Sequence, residues 1–261
     1  AMCRRAKILH SEICTNTDAS YYCQADGYSI GSEVEYGSLG TEGVLTSGDA
    51  FDCDVNGDGV YDSDTERFYY VSDVTNGITT DNNTAVLIYY NNVSGGVPNN
   101  TKAYAYDSTN ENWHGPQTAV AQLPTTSQWK TTLTNTQRQI TNHNSTTTTT
   151  GGDLPVFSYE GYAARLLTIQ EVRLGCGTNI ASWKNGELST KCKYLLENTN
   201  YTNLMIIHGE WLETSVTTDS DSNLVWYVYD SYRRVDVRNA NITGGIGVRP
   251  AIEVAKTDID Y

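Results

Sequence analysis

Residues 225–254 read VWYVYDSYRRVDVRNANITGGIGVRPAIEV, and the two ends of this stretch are written differently from its middle. Residues 225–228 and 247–254 carry the β-branched and aromatic side chains of strands, with Pro250 suited to an edge or a strand start. Between them, residues 227–246 show neither strand alternation nor a helical stripe beyond Val235 and Val237. The segment is rich in Tyr, Arg, Asp, Asn, Ser and Gly, the mix that binding surfaces use. Tyr gives rigid contact area at low entropic cost, and Asn, Ser and Gly give adaptable hydrogen bonding. Arg233, Arg234 and Arg238 make it locally basic in a protein of net charge −14. An ordinary irregular surface loop has a similar composition.

Upstream, residues 163–167 read as a strand. Thr168 and Glu171 then form a capping box for a helix that ends at Gly175 or Gly177. Residues 33–36, 68–71, 85–90 and 211–212 are further strands, each bounded by turn residues. Gly95-Gly96-Val97-Pro98 and Gly115-Pro116 punctuate loops. A short helix is expected over 127–133 around Trp129, and the Thr-rich residues 141–153 read as a surface loop. Ala1-Met2 reads as a cloning remnant, and residues 3–14 as the tail of an amphipathic helix entered midway. The expectation is an α+β domain over residues 27–261, preceded by a segment 1–26 that comprises this helix and a cysteine-closed loop.

The chain has 261 residues, with 17 Lys and Arg against 31 Asp and Glu. That balance argues against nucleic acid and against anionic membrane surfaces, and no apolar run is long enough to span a bilayer. Hydrophobic content is only 38%, but 19 Tyr and 5 Trp supply buriable area for a core. Six cysteines fit an oxidising, extracytoplasmic compartment. Six cysteines allow fifteen connectivities; spacing favours the local bridges Cys14–Cys23 and Cys176–Cys192, while Cys3 and Cys53 are left over, able to pair but not assigned by spacing. No cysteine or histidine spacing suits zinc.

One loop suits a different ion. Asp54, Asn56, Asp58 and Asp62 supply oxygens at positions 1, 3, 5 and 9 of a calcium-loop pattern, with the Val60 carbonyl at 7 and Gly59 at 6. Position 12 is Thr65, and the acid Glu66 falls one place late. The other reading is a hairpin tip, since Asn-Gly and Asp-Gly favour tight turns. Glu210 and Glu213 flank Trp211 in a way that can mark a glycosidase, although two acids on a strand more often form a solvated face. No nucleophile elbow, phosphate loop or dinucleotide fingerprint occurs.

Residues 163–172, then Trp211-Leu212-Glu213-Thr214, Val225-Trp226, Arg233 and the run Gly247-Val248-Arg249-Pro250-Ala251-Ile252-Glu253-Val254 form a frame. This frame resembles a bacterial family with a C-type-lectin-type fold, on the formylglycine-generating-enzyme branch, that often ends in a Gly-Val-Arg-Pro strand. Residues 51–53, 66–71 and 85–92 look similar to its early strands. The resemblance implies a pilin-like N-terminal helix. It also implies a target of diversity-generating retroelements, in which errors at template adenines scatter Asn codons across many residue types. Asn codons altered at their adenines never encode Lys, Glu, Gln, Met or Trp, and none of these occurs over residues 227–246. Formylglycine generation does not carry over, because Cys176 and Cys192 read as structural. The Glu-Pro-Asn and Trp-Asn-Asp motifs of calcium-dependent sugar binding are missing.

The resulting expectation is a bacterial protein displayed outside the cell or on a pilus, binding without catalysis. Its ligand is a protein or glycan on another cell or a phage, and its neighbours include other pilin subunits. Tyr227, Tyr229 and Tyr232 are the expected aromatic anchors, and Arg234 and Arg238 the charged contacts. Asp230, Ser231, Asp236, Asn239, Asn241 and Ile242 complete the surface, while Trp226 and Arg249 serve as scaffold. No cofactor is required, and calcium is the candidate ion. The competing readings are a pilin-like subunit with a fixed self-complementary interface, and a glycan-active enzyme that uses Glu210 or Glu213.

Overall fold

The structure is a computed structural model that describes residues 1–14, 29–75, 80–139, 156–177, 190–198, 207–216, 223–229 and 234–261. Its strands run in chain order from β1 (Cys3–Arg5), β2 (His10–Ile13), β3 (Glu33–Tyr36) and β4 (Ala50–Cys53) to β5 (Arg67–Thr75) and β6 (Thr80–Tyr89). The short β7 (Val93–Ser94), β8 (Val97–Pro98), β9 (Gln137–Gln139) and β10 (Val156–Ser158) follow. The last six are β11 (Ile207–Ser215), β12 (Leu224–Tyr229), β13 (Arg234–Asn239), β14 (Gly245–Gly247), β15 (Ala251–Ala255) and β16 (Ile259–Asp260). Two α-helices, α1 (Gln117–Val120) and α2 (Ile169–Cys176), interrupt them.

Among the described residues strand accounts for 42% and helix for 12%, so the expected α+β mix is corrected to a sheet-rich fold. The expected N-terminal helix is corrected as well, since residues 3–5 and 10–13 are strands. Their polar–apolar spacing is too short to distinguish the two periods, and pairing decides between them. β1 sits between β4 and β16, and β2 pairs with β3. The helix expected over 127–133 is a turn and extended chain. There Trp129 packs edge-on against Phe68 and Tyr89, with ring centroids 5.5 and 5.0 Å away. The strand expected over 163–167 contributes only the isolated bridge Arg165↔Ala251.

Six strands form one sheet in the order β15-β6-β5-β4-β1-β16, and four form another in the order β13-β12-β11-β14. Alternate residues of β5 and β6 feed two cores. Phe68, Tyr70, Leu87 and Tyr89 enter the first, with Trp129, Trp211 and Tyr227. Tyr69, Val71, Val86 and Ile88 enter the second, with Ile169, Val172, Trp226 and Val228. The six-stranded sheet is therefore covered on both faces.

The capping box forms as expected: Thr168 accepts from the Glu171 N–H, the Glu171 side chain accepts from the Thr168 N–H, and left-handed Gly177 ends α2. Glu171 does more than cap. Both its oxygens accept from the fully buried Arg165 at 2.7 Å, and Arg165 Nε donates to Glu253 on β15 at 2.8 Å. One arginine thus locks the helix start to the large sheet.

Disulfides Cys3–Cys53 and Cys176–Cys192 are present. Cys14 is also disulfide-bonded, and its expected partner Cys23 lies outside the described residues. These bridges accord with an oxidising, extracytoplasmic setting. Among the described residues no helix is long and apolar enough to cross a membrane.

The β2–β3 hairpin carries a titratable cluster. His10 contacts Glu197 through Nδ1, and Tyr36 donates to Glu12. Burial, then the charge of Glu197, pushes the Glu12 carboxyl up to about 7. Burial opposes the charge on His10, but its hydrogen bond to Glu197 and the field of that carboxylate outweigh burial and the nearby Arg67. The His10 pKa is raised as a result. Both groups hold protons in the folded chain that the unfolded chain has released. Stability therefore falls as pH rises, first through the window from 4.5 to about 7 for Glu12 and then above 6.5 for His10. Urea titrations should show about 1–3 kcal/mol lost between pH 5 and 8, with Glu12→Gln flattening the lower part of that profile.

Candidate functional site

β12 and β13 form an antiparallel hairpin in the register Val225↔Arg238, Trp226↔Val237, Tyr227↔Asp236, Val228↔Val235 and Tyr229↔Arg234. The segment read as irregular is thus largely regular structure, and its alternation sorts the expected contact residues. Trp226, Val228 and Val235 are buried in the second core, and Val237 packs against it. Tyr227, Tyr229, Arg234, Asp236 and Arg238 take the opposite face.

That face is graded from interior to solvent. Tyr227 is buried, its ring 6.1 Å from Trp211 and 5.5 Å from Tyr229, so it supports the surface instead of presenting itself. Tyr229, Arg234, Asp236 and Ile242 are half-buried, while Arg238, Asn239 and Asn241 are exposed. Arg234 Nη2 pairs with Asp236 Oδ2 at 2.7 Å. Arg238 Nε donates to the Tyr227 hydroxyl at 3.4 Å, so a buried ring orients an exposed guanidinium. Asp230, Ser231 and Tyr232 lie outside the described residues, as do Arg233 and the Thr-rich residues 141–153.

Close backbone approach supports this edge. A Cβ at Gly209 would stand 1.9 Å from the Val228 carbonyl oxygen, so β11 can pair with β12 there only without a side chain. Beyond β13, the buried Ala240 accepts from the Tyr106 and Asp107 N–H groups, and the Asn241 N–H donates to Asn110 Oδ1. The Asn112 side chain donates to the Val216 and Leu224 carbonyls at 2.7 and 2.8 Å.

These bonds bring residues 110–114 beside the outer end of the hairpin, and sequence reasoning missed them. Asn110 adopts a left-handed φ of 62°. Trp113 is 40% exposed and its ring lies 3.8 Å from that of His114. His114 in turn meets Asp107 and Glu111. The available signal was an aromatic pair beside Gly115-Pro116, which carries no hint of partners 104 to 131 positions away.

Glu210 and Glu213 do not form the solvated face that two acids on a strand suggest. Both are buried, and they belong to different networks. Glu213 takes a two-pronged contact from Arg138 at 2.9 Å for each bond. Glu210 meets Arg249 at 3.4 Å and accepts from Asn198 at 2.7 Å. Burial outweighs Arg249 and Asn198 and pushes the Glu210 carboxyl up to about 7. Arg249 also donates to the Tyr89 and Tyr194 carbonyls, which places it as a tie between sheets.

The loop of Asp54, Asn56, Asp58, Val60 and Asp62 connects β4 to β5, as the hairpin-tip reading requires. Asp54 accepts from the Gly57, Asp58 and Gly59 N–H groups, Asn56 from Asp58, and Asp58 from Val60. Among the described residues, no three Asp, Glu, His or Cys side chains already stand in metal-ligating geometry. No family model matches the chain, and no curated protein or solved structure matches it either.

Proposed function

We propose that the outer face of β12–β13, with the turn at 239–242, is a diversified ligand-binding surface presented outside the cell and operating without catalysis. The observation that carries the reading is the division of labour along two strands. Inward positions hold Trp226, Val228 and Val235, and outward positions hold Tyr229, Arg234, Asp236 and Arg238. Outward side chains of this kind can change while the core stays constant. Arg238, Asn239 and Asn241 offer charge-assisted and amide hydrogen bonds, and half-buried Tyr229 adds apolar contact area beside them. The absence of the five residue types that adenine errors cannot produce from Asn codons supports the retroelement reading of residues 227–246.

The test combines natural variation with stability. Sequencing the 3′ coding region across a host population should find substitutions confined to codons 227–246 and concentrated at the outward positions. An unvarying segment overturns the reading. Exchanging Arg238, Asn239 or Asn241 should shift stability by no more than about 0.5 kcal/mol. Val235→Asp, which buries a charge in the second core, should cost more than about 3 kcal/mol.

A further inference from the structure

The geometry points to a calcium site in the β4–β5 loop, formed by side-chain oxygens of Asp54, Asn56, Asp58 and Asp62, the Val60 carbonyl and the buried carboxylate of Glu66. The inference is independent of the ligand-binding surface. The hard oxygen donors of residues 54–62, at alternate positions with Gly59 at the sharp bend, supply a cradle but do not by themselves make a site.

Glu66 supplies the separate observation. It is 3% exposed, its Oε2 accepts from the Asp62 N–H at 3.0 Å, and its Oε1 is sealed from solvent without a well-formed hydrogen bond. Asp54 and Asp58 stand close enough for their negative charges to act on it, partly offset by the Asp62 and Asn56 N–H groups. Among the described residues, Asp54, Asp58, Asp62 and Glu66 form no ion pair with a cation. The alkyl chain of Lys130 lies along Gly57, yet its ammonium makes no such pair among the described residues. A sealed carboxylate oxygen among like charges is costly, and a divalent cation is the group that would satisfy it.

The displaced acid also acquires a reason. In the usual twelve-residue loop the closing carboxylate stands at the twelfth position, here Thr65. The Thr65 carbonyl is instead held by the Tyr89 hydroxyl, and the Glu66 backbone closes back on Cys53 and Asp62. That arrangement turns the next side chain, Glu66, into the base of the loop. The Asp54 and Asp58 carboxylates, now taken up by loop amides, would re-aim by side-chain rotation. Loop composition and position suit a weak, extracellular type of site, with a dissociation constant of about 0.1–1 mM.

Titration calorimetry and thermal melts of the whole chain with calcium, at constant ionic strength, test the assignment. Calcium at 10 mM should raise Tm by about 3 °C or more over a chelated sample, whereas magnesium at the same concentration should do much less. Asp58→Asn, at the exposed loop tip, should fold normally and weaken calcium binding at least tenfold. Glu66→Gln should do the same. A Tm indifferent to calcium and chelator overturns the proposal, as does an equal response to magnesium, which would mark general charge screening of an acidic protein. If both variants bind calcium as the parent does, the ion sits elsewhere and the assignment falls.

Discussion

Replacing Arg165 with Met should lower the melting temperature by roughly 10 °C or more, the largest effect expected from any single substitution discussed. Arg165 is fully buried and satisfies two carboxylates at once, both oxygens of Glu171 and one of Glu253. Its removal leaves two charges stranded in the interior, and breaking a buried pair in this way costs about 3–5 kcal/mol. The source of that cost can be separated by a second substitution. Glu253→Gln added to Arg165→Met removes one stranded charge, so the double variant should melt above the single one. If Arg165→Met melts within about 2 °C of the parent, the buried network has no such role.

The second large effect is expected at Cys3–Cys53. The bridge spans 50 positions, and in the chain-entropy account a loop of that size constrains the unfolded state by about 4 kcal/mol. Cys176–Cys192 spans only 16, for which the same account gives about 3 kcal/mol. The double replacement Cys3→Ala, Cys53→Ala should therefore cut the urea midpoint more than Cys176→Ala, Cys192→Ala does. There is a structural reason beyond loop length. β1 is three residues long and lies between β4 and β16, so freeing it exposes two strand edges together. Equal midpoints for the two double variants would contradict this.

Parts of this architecture were legible in the sequence because a local rule sufficed. The Thr168–Glu171 box names a helix start through bonds within four residues, and β5 and β6 announce themselves by dense aromatic and β-branched runs. The Cys176–Cys192 bridge followed from spacing alone. Where partners lie far away, the reading failed. Residues 3–14 resembled a helix because their pairing with β16, β4 and β3 is invisible locally.

The hairpin of the candidate site hid for a related reason. Both faces of β12 are apolar or aromatic, Trp226 and Val228 against Tyr227 and Tyr229, so the alternation has no polar contrast to reveal it. Which tyrosine is buried depends on Trp211 packing against Tyr227 from another strand. Buried Arg138 is likewise unreadable as a core residue, since it is tolerated through Glu213 from 75 positions away, and the tie from Arg165 to Glu253 spans 88. Glu66 is a milder case. Its displacement by one position from the loop pattern was visible, and its burial was not.

The parallel pairing of β1 with β16 has a mechanical consequence. Cys3 lies opposite Ile259 and Arg4 opposite Asp260, so the first and last strands point the same way side by side. Tension applied between the two ends of the chain pulls β1 backward along its axis and β16 forward along its own. The load therefore falls on their shared hydrogen bonds simultaneously, in shear, and does not peel them open one after another. Behind that seam, the covalent link from Cys3 to β4 stops the first strand from sliding free even after the seam has slipped.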